Sequence, residues 1–102
     1  MTALTERVSL DKLNYASNML KVIAHPVRLA IVDALHQSER LTVLEIQEKL
    51  GLDQPVASQH LTLMQDRGVL ESEKLGRNRF FFLKHPNMFN IINCLEHCCE
   101  RL

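Results

Sequence analysis

The stretch that decides the fold is LGLDQPVASQHLTLMQDRGVL, from Leu50 to Leu70. Ala57, Leu61 and Met64 recur at helical spacing within it. Yet Gln54 to Gln65 carries no formally charged residue, in a chain where 24% of residues are charged. On a helical wheel Ala57, Leu61 and Met64 share one stripe and are expected to face the core. Pro55, Ser58, Gln59, Thr62 and Asp66 share the other. A face of amides and small hydroxyls suits a helix laid in the major groove of DNA. Gln can bond an adenine edge in two places, Ser and Thr can donate or accept, and short side chains let the helix sit deep. Long charged side chains would instead hold phosphates whatever the sequence. Gln54, Ser58, Gln59 and His60 are therefore the base-reading candidates. Pro55, Val56 and Thr62 complete the expected DNA-binding set on this helix. Alone, the pattern would also fit an ordinary surface helix.

Upstream, Gly51 is a left-handed stop for a preceding short helix, and Asp53 is a good N-cap for the next one. Its carboxylate can satisfy free N–H groups and favour the positive dipole end. The preceding helix starts at Thr42-Val43-Leu44-Glu45, the spacing of a capping box. Before it, Leu10, Leu13, Ala16, Leu20 and Ile23 step by three or four and predict a helix from about Ser9 to Ile23. His25-Pro26 interrupts, and Pro26 suits the first turn of a second helix, where its missing N–H goes unnoticed. Val27, Ile31, Ala34 and Leu35 give that helix its buried stripe. His36 to Arg40 reads as a polar connection.

Downstream the period changes. Val69–Leu75 and Arg79–Leu83 read as two strands around Gly76-Arg77-Asn78. Alternation would bury only some of the rings of Phe80, Phe81 and Phe82. From Asn87 to Leu102, the residues Met88, Ile91, Ile92, Leu95, Cys98, Cys99 and Leu102 mark a wide apolar stripe on a final helix. The expected architecture is a mainly α domain over 1–102, with five helices and a two-stranded β-hairpin. A short helix, a tight turn and a second helix followed by a hairpin make a winged helix-turn-helix.

Lys74 to Lys84 holds four basic residues, Lys74, Arg77, Arg79 and Lys84, and no acidic one. A basic hairpin tip beside an uncharged reading helix matches a wing that grips phosphates or the minor groove. This local imbalance matters because the whole chain carries twelve basic and twelve acidic residues, which argues weakly against a partner held by bulk charge.

The 102 residues suffice for one core. No apolar run is long enough to span a bilayer. The opening MTALTERVSLDKL has charges of both signs and no signal-peptide core, so a cytoplasmic location is expected. No Gly-rich phosphate loop and no nucleophile with an evident base is present, so an enzyme is not expected.

LKVIAHPVRLAIVDAL, LTVLEIQEKLGLDQPVASQHLTLMQDRGVL and KLGRNRFFFL together resemble the ArsR/SmtB family of bacterial winged-helix repressors. The resemblance covers Leu20 to Leu83, in order and with few gaps. It implies a homodimer on an inverted-repeat operator of double-stranded DNA, with the first and last helices forming the dimer interface. Arg28 matches the family arginine and is expected to contact a phosphate or to brace the reading helix.

Many relatives in that family release DNA on binding a metal. Their commonest sensing motif is two cysteines around a valine, then an aspartate. Here the same positions read Thr42-Val43-Leu44-Glu45, and Thr and Leu cannot replace thiolates for a soft metal. No cofactor is therefore expected there. A second family site across paired final helices is matched in part by His97 and Glu100, three apart on one face, and by His85, whereas Asn87 is a poor ligand. These three are the candidates for zinc. Cys94, Cys98 and Cys99 crowd the same helix. They are expected either to pack as small apolar groups or to respond to thiophilic ions and oxidants.

Overall fold

The computed structural model describes residues 2–102. The elements run α1 (Leu4–Arg7), α2 (Leu10–Ile23), α3 (Pro26–Ser38), β1 (Leu41–Thr42), α4 (Val43–Leu50), α5 (Gln54–Asp66), β2 (Leu70–Leu75), β3 (Asn78–Leu83), a 3-10 turn (Pro86–Met88) and α6 (Phe89–Cys99). This is the expected mainly helical winged arrangement with two additions. One is the four-residue helix α1. The other is β1, so the sheet has three strands in the order β1-β3-β2. Two residues are too few to carry an alternation signal, and β1 exists because Leu41 and Thr42 pair with Phe81 and Phe80 of β3.

Three of the helices begin with a side-chain cap. Ser9 caps α2, its hydroxyl accepting from the Lys12 N–H at 3.3 Å. His25 caps α3 through Nδ1, which accepts from the Val27 N–H at 3.1 Å, and Pro26 occupies the first turn. Helix α3 continues through His36, Gln37 and Ser38, further than the expected polar connection allowed. It stops at Glu39, whose φ of 66° makes it the one non-glycine with positive φ among the described residues. Helix α4 carries the full capping box, with Thr42 Oγ1 accepting from the Glu45 N–H and the Glu45 carboxylate accepting from the Thr42 N–H at 3.0 Å. Gly51 ends it in the left-handed region, at φ 65° and ψ 39°.

Asp53 stands at the N-cap of α5, but its side chain makes no cap hydrogen bond, contrary to expectation. The end of α5 is a Schellman motif: the Val69 N–H donates to the Met64 carbonyl at 2.9 Å and the Gly68 N–H to the Gln65 carbonyl at 3.1 Å. The chain then enters β2. Register places Leu75 opposite Asn78, so Gly76 and Arg77 alone form the turn, one residue tighter than expected. Gly76 has φ 63°, and glycine at the first of two loop positions is the hairpin solution that follows strand twist.

Ile31, Val32, Leu35, Ile46, Leu61, Met64, Val69 and Leu70 form the buried centre, where α3, α4 and α5 pack over the start of the wing. Phe81 is buried, whereas Phe80 and Phe82 are half-buried. No polar or charged residue is buried among those described. Helix α6 returns across α3, where the His36 and Phe89 rings stack 3.6 Å apart at 9°. It buries Ile92, with Phe89 and Ile91 half-buried against the core and Met88 buried in the 3-10 turn before it. Leu95, Cys94, Cys98 and Cys99 are exposed, so packing of the cysteines into this chain's own core is corrected. No helix among the described residues is long and apolar enough to cross a membrane.

Candidate nucleic-acid interface

Helix α5 presents the two stripes its spacing implies. Ala57, Leu61 and Met64 are buried, while Pro55, Gln59, Thr62 and Asp66 are exposed. Gln54 and Ser58 lie on the flank of that outer face and bond each other, Gln54 Nε2 donating to Ser58 Oγ at 2.7 Å. This bond orients the Gln54 carboxamide and leaves its oxygen free to accept. Ser58 is half-buried by it. Gln59 and Thr62 have no side-chain hydrogen bond among the described residues and point their full donor and acceptor sets outward. Val56 is 39% exposed on the other flank, an apolar group of the kind that meets a thymine methyl.

His60 is turned away from this face. It is half-buried, and its Nδ1 accepts from Arg28 Nε at 3.2 Å. Arg28 Nη1 also donates to the Val22 carbonyl at 3.1 Å. Of the two roles open to Arg28, the structure supplies the brace: one guanidinium ties the end of α2 to the middle of α5. The rings of His25 and His60 lie 4.9 Å apart. Burial, with the positive charge of Arg28 and then the His25 ring beside it, holds the His60 pKa below its ordinary value.

The wing stands beside α5, with Lys74, Arg77, Arg79 and Lys84 exposed. Lys74 and Arg79 face each other across the two strands, and Arg77 sits in the turn. Arg79 is not free. Its Nη1 donates to Ser72 Oγ at 2.9 Å, and that hydroxyl donates to Gln65 Oε1 at 3.1 Å. A chain of two hydrogen bonds thus joins both wing strands to α5. A fifth cation lies at the wing's base: Arg40 is over the Phe80 ring at 5.4 Å and 3.9 Å from the Glu73 carboxylate. Gln65, Ser72 and Arg40 escape a reading along the sequence because only the register of β2 and β3 brings them into place. No spacing signal marks them.

The candidate zinc and redox residues divide into separate places. His85 Nε2 lies 3.4 Å from the Tyr15 hydroxyl, which also donates to the Gly68 carbonyl at 3.4 Å. His97 Nδ1 lies 2.9 Å from the Asn93 carbonyl one turn back on α6, so that nitrogen carries the proton as donor. Glu100 caps α6 and is exposed. Within one chain, no three His, Cys, Asp or Glu side chains among the described residues gather as a metal set. Cys94 and Cys98, four apart, lie on an exposed face of α6 with His97. Thr42 and Glu45 are both engaged in capping α4. The hydrogen bonds to Thr42 hold the Glu45 carboxyl below its usual range.

A family model described as a helix-turn-helix domain matches residues 23–73. The biofilm growth-associated repressor of Xylella fastidiosa is 32% identical over 82 residues, which cover 80% of this chain and 71% of that one. The HTH-type transcriptional repressor SmtB of Mycobacterium tuberculosis is 36% identical over 89 residues, covering 86% of this chain and 65% of that one. Among solved structures, the transcriptional repressor PagR of Bacillus anthracis superposes with a TM-score of 0.76 at 34% identity, over 82% of this chain and 95% of that one.

Proposed function

The chain belongs to the ArsR/SmtB family of winged-helix transcriptional repressors, and from that premise we propose that two copies read an inverted repeat in operator DNA. Helix α5 of each copy enters the major groove, and each wing holds the backbone beside it. Gln59 and Thr62 read base edges directly. Gln54 reads through the carboxamide that Ser58 orients, and Val56 supplies apolar contact. Arg77, Lys74 and Arg79 neutralise phosphates. Arg28 and His60 act from behind the helix. The observation that carries this reading is the outward, uncharged face of α5 standing beside a basic hairpin tied to it through Ser72. The protein is a cytoplasmic DNA-binding regulator rather than an enzyme.

The dimer forms through the first and last helices of the single domain. Leu10 on α2 is 68% exposed, Leu20 49% and Leu95 on α6 39%, apolar side chains that a second copy would cover. Two-fold symmetry then sets the two α5 helices about one turn of DNA apart, roughly 34 Å. No metal is expected at Thr42 and Glu45, because the helix cap already uses both side chains.

The deciding experiment is enrichment of binding duplexes from a random-sequence library, followed by footprinting on the DNA upstream of the protein's own coding sequence. Two protected half-sites about 10 base pairs apart, centre to centre, are expected. Protection without symmetry, or no enrichment at all, rejects the reading.

A second reading, thiol control of the same DNA binding, is favoured by the exposure of Cys94 and Cys98 one turn apart on α6. Thiolates at the dimer helix would change its packing on oxidation or on capture of a thiophilic ion. Zinc through His85, His97 and Glu100 would require the second copy to complete the set. Footprints repeated with peroxide and with zinc separate these inputs, and identical footprints under all conditions exclude both.

A further inference from the structure

His25, Arg28 and His60 meet where the start of α3 crosses α5. His25 Nδ1 accepts from the Val27 N–H and His60 Nδ1 accepts from Arg28. Only a neutral imidazole offers such an acceptor. The salt bridge among the described residues lies elsewhere, between Arg40 and Glu73. A proton on His60 therefore removes the acceptor and sets a positive ring against a guanidinium, with no carboxylate to compensate. The charged group that acts on His60 is Arg28, on α3, with the His25 ring beside it at the cap of that helix. None from α2, α4 or β2 does. Burial adds to the cost of charging the ring.

We infer that Arg28 and His60 are positioning residues for the reading helix, and that together they make operator affinity fall on acidification. The inference rests on α5 being the helix that enters the groove. Arg28 holds α5 to the Val22 carbonyl and so fixes how far the helix is rolled about its axis. That roll decides whether Gln59 meets a base edge. With the acceptor protonated, α5 samples several rolls, and the fraction competent to bind drops. The sign is diagnostic. A histidine that simply faces phosphates gains charge in acid and tightens binding, whereas this arrangement weakens it.

The test uses the full chain and a duplex enriched on it at about pH 7.5. Affinity is measured down to about pH 5.5, the range in which histidine titrates. The wild-type affinity is expected to fall about tenfold. His60→Gln supplies an acceptor to Arg28 that does not titrate, so its affinity at the upper pH stays near wild type and the acid loss shrinks to about threefold or less. An affinity that is flat or rises in acid, or an unchanged loss in His60→Gln, overturns the inference. On the unaltered chain, NMR titration of the His60 ring is expected to share its midpoint with the affinity loss, and a separate midpoint overturns the inference even if the variant fails to fold. No enrichment of any duplex overturns the groove reading and this inference with it. A duplex bound equally at every pH overturns the inference alone.

Discussion

The hydroxyl of Tyr15 stands where a Cβ on residue 68 would have to be. Gly68 has φ 82° in the Schellman motif that ends α5, and its carbonyl accepts from that same hydroxyl. The backbone therefore favours glycine, and a Cβ there would also have to push the Tyr15 ring aside. Gly68→Ala is expected to cost about 1–3 kcal/mol in urea unfolding, from left-handed strain plus the collision. In a Tyr15→Ala background only the strain remains, so the cost shrinks. Equal costs in the two backgrounds show that the phenol does not press on this turn.

Gln59→Ala tests base reading. It removes an exposed amide with no protein partner, so stability stays put. Affinity for an enriched duplex is expected to fall by about 1–3 kcal/mol while affinity for unrelated DNA holds. A uniform loss on every sequence would move Gln59 to the phosphate contacts.

Arg77→Ala and Arg79→Ala are expected to do the reverse. Each removes a cation from the wing, so each lowers affinity on all duplexes alike and reduces the salt slope by about 0.9. Unchanged slopes in both variants leave the wing without a role on DNA.

His60 also links pH to folding. Its folded pKa lies below the ordinary value of 6.5, so the folded chain binds fewer protons than the unfolded one. Stability from this group is fully present above about pH 6.5 and is lost as pH falls through the lowered folded value. Unfolding free energy measured across that range should drop less in His60→Gln. An identical drop would assign the acid sensitivity to another group.

Thr42→Ala removes the acceptor for the Glu45 N–H and is expected to cost about 1 kcal/mol in thermal or urea unfolding. The Glu45 carboxyl, held below its ordinary value of 4.5 by Thr42, contributes stability above that value and loses it as pH falls through the folded one. The side chain is exposed and the effect small. Thr42→Ser keeps the cap and should behave as wild type; a loss as large as that of the alanine variant would show that the hydroxyl is not what matters.

Features that depend on a few neighbouring residues were legible in the sequence. The stripes of α5, the capping box at Thr42, the left-handed Gly51 and the hairpin each arise from local spacing, and each stands where expected, the hairpin with a turn one residue tighter. Features that depend on register were hidden. Arg79 reaches Ser72 and Gln65 only because β2 lies against β3 in one alignment. His60 follows Gln59 in the chain yet turns about 100° from it on the helix, toward Arg28. The stripe on α6 was legible as a face but not as an owner: Cys98, Cys99 and Leu102 face away from this chain's core. Asp53 has the right backbone for a cap, and its carboxylate is simply not bonded to the first turn.

Thr42 belongs to two structures at once. It pairs with Phe80 in the sheet and it caps α4, while its neighbour Leu41 is buried against Phe81. The hairpin therefore has no hinge at its root: bending it inward would strip β1 from β3 and unwind the first turn of the helix that supports α5. Where the wings clamp a duplex as proposed, the duplex is the softer body, so sites with flexible pyrimidine–purine steps under the wings are expected to gain an advantage that no side chain reads.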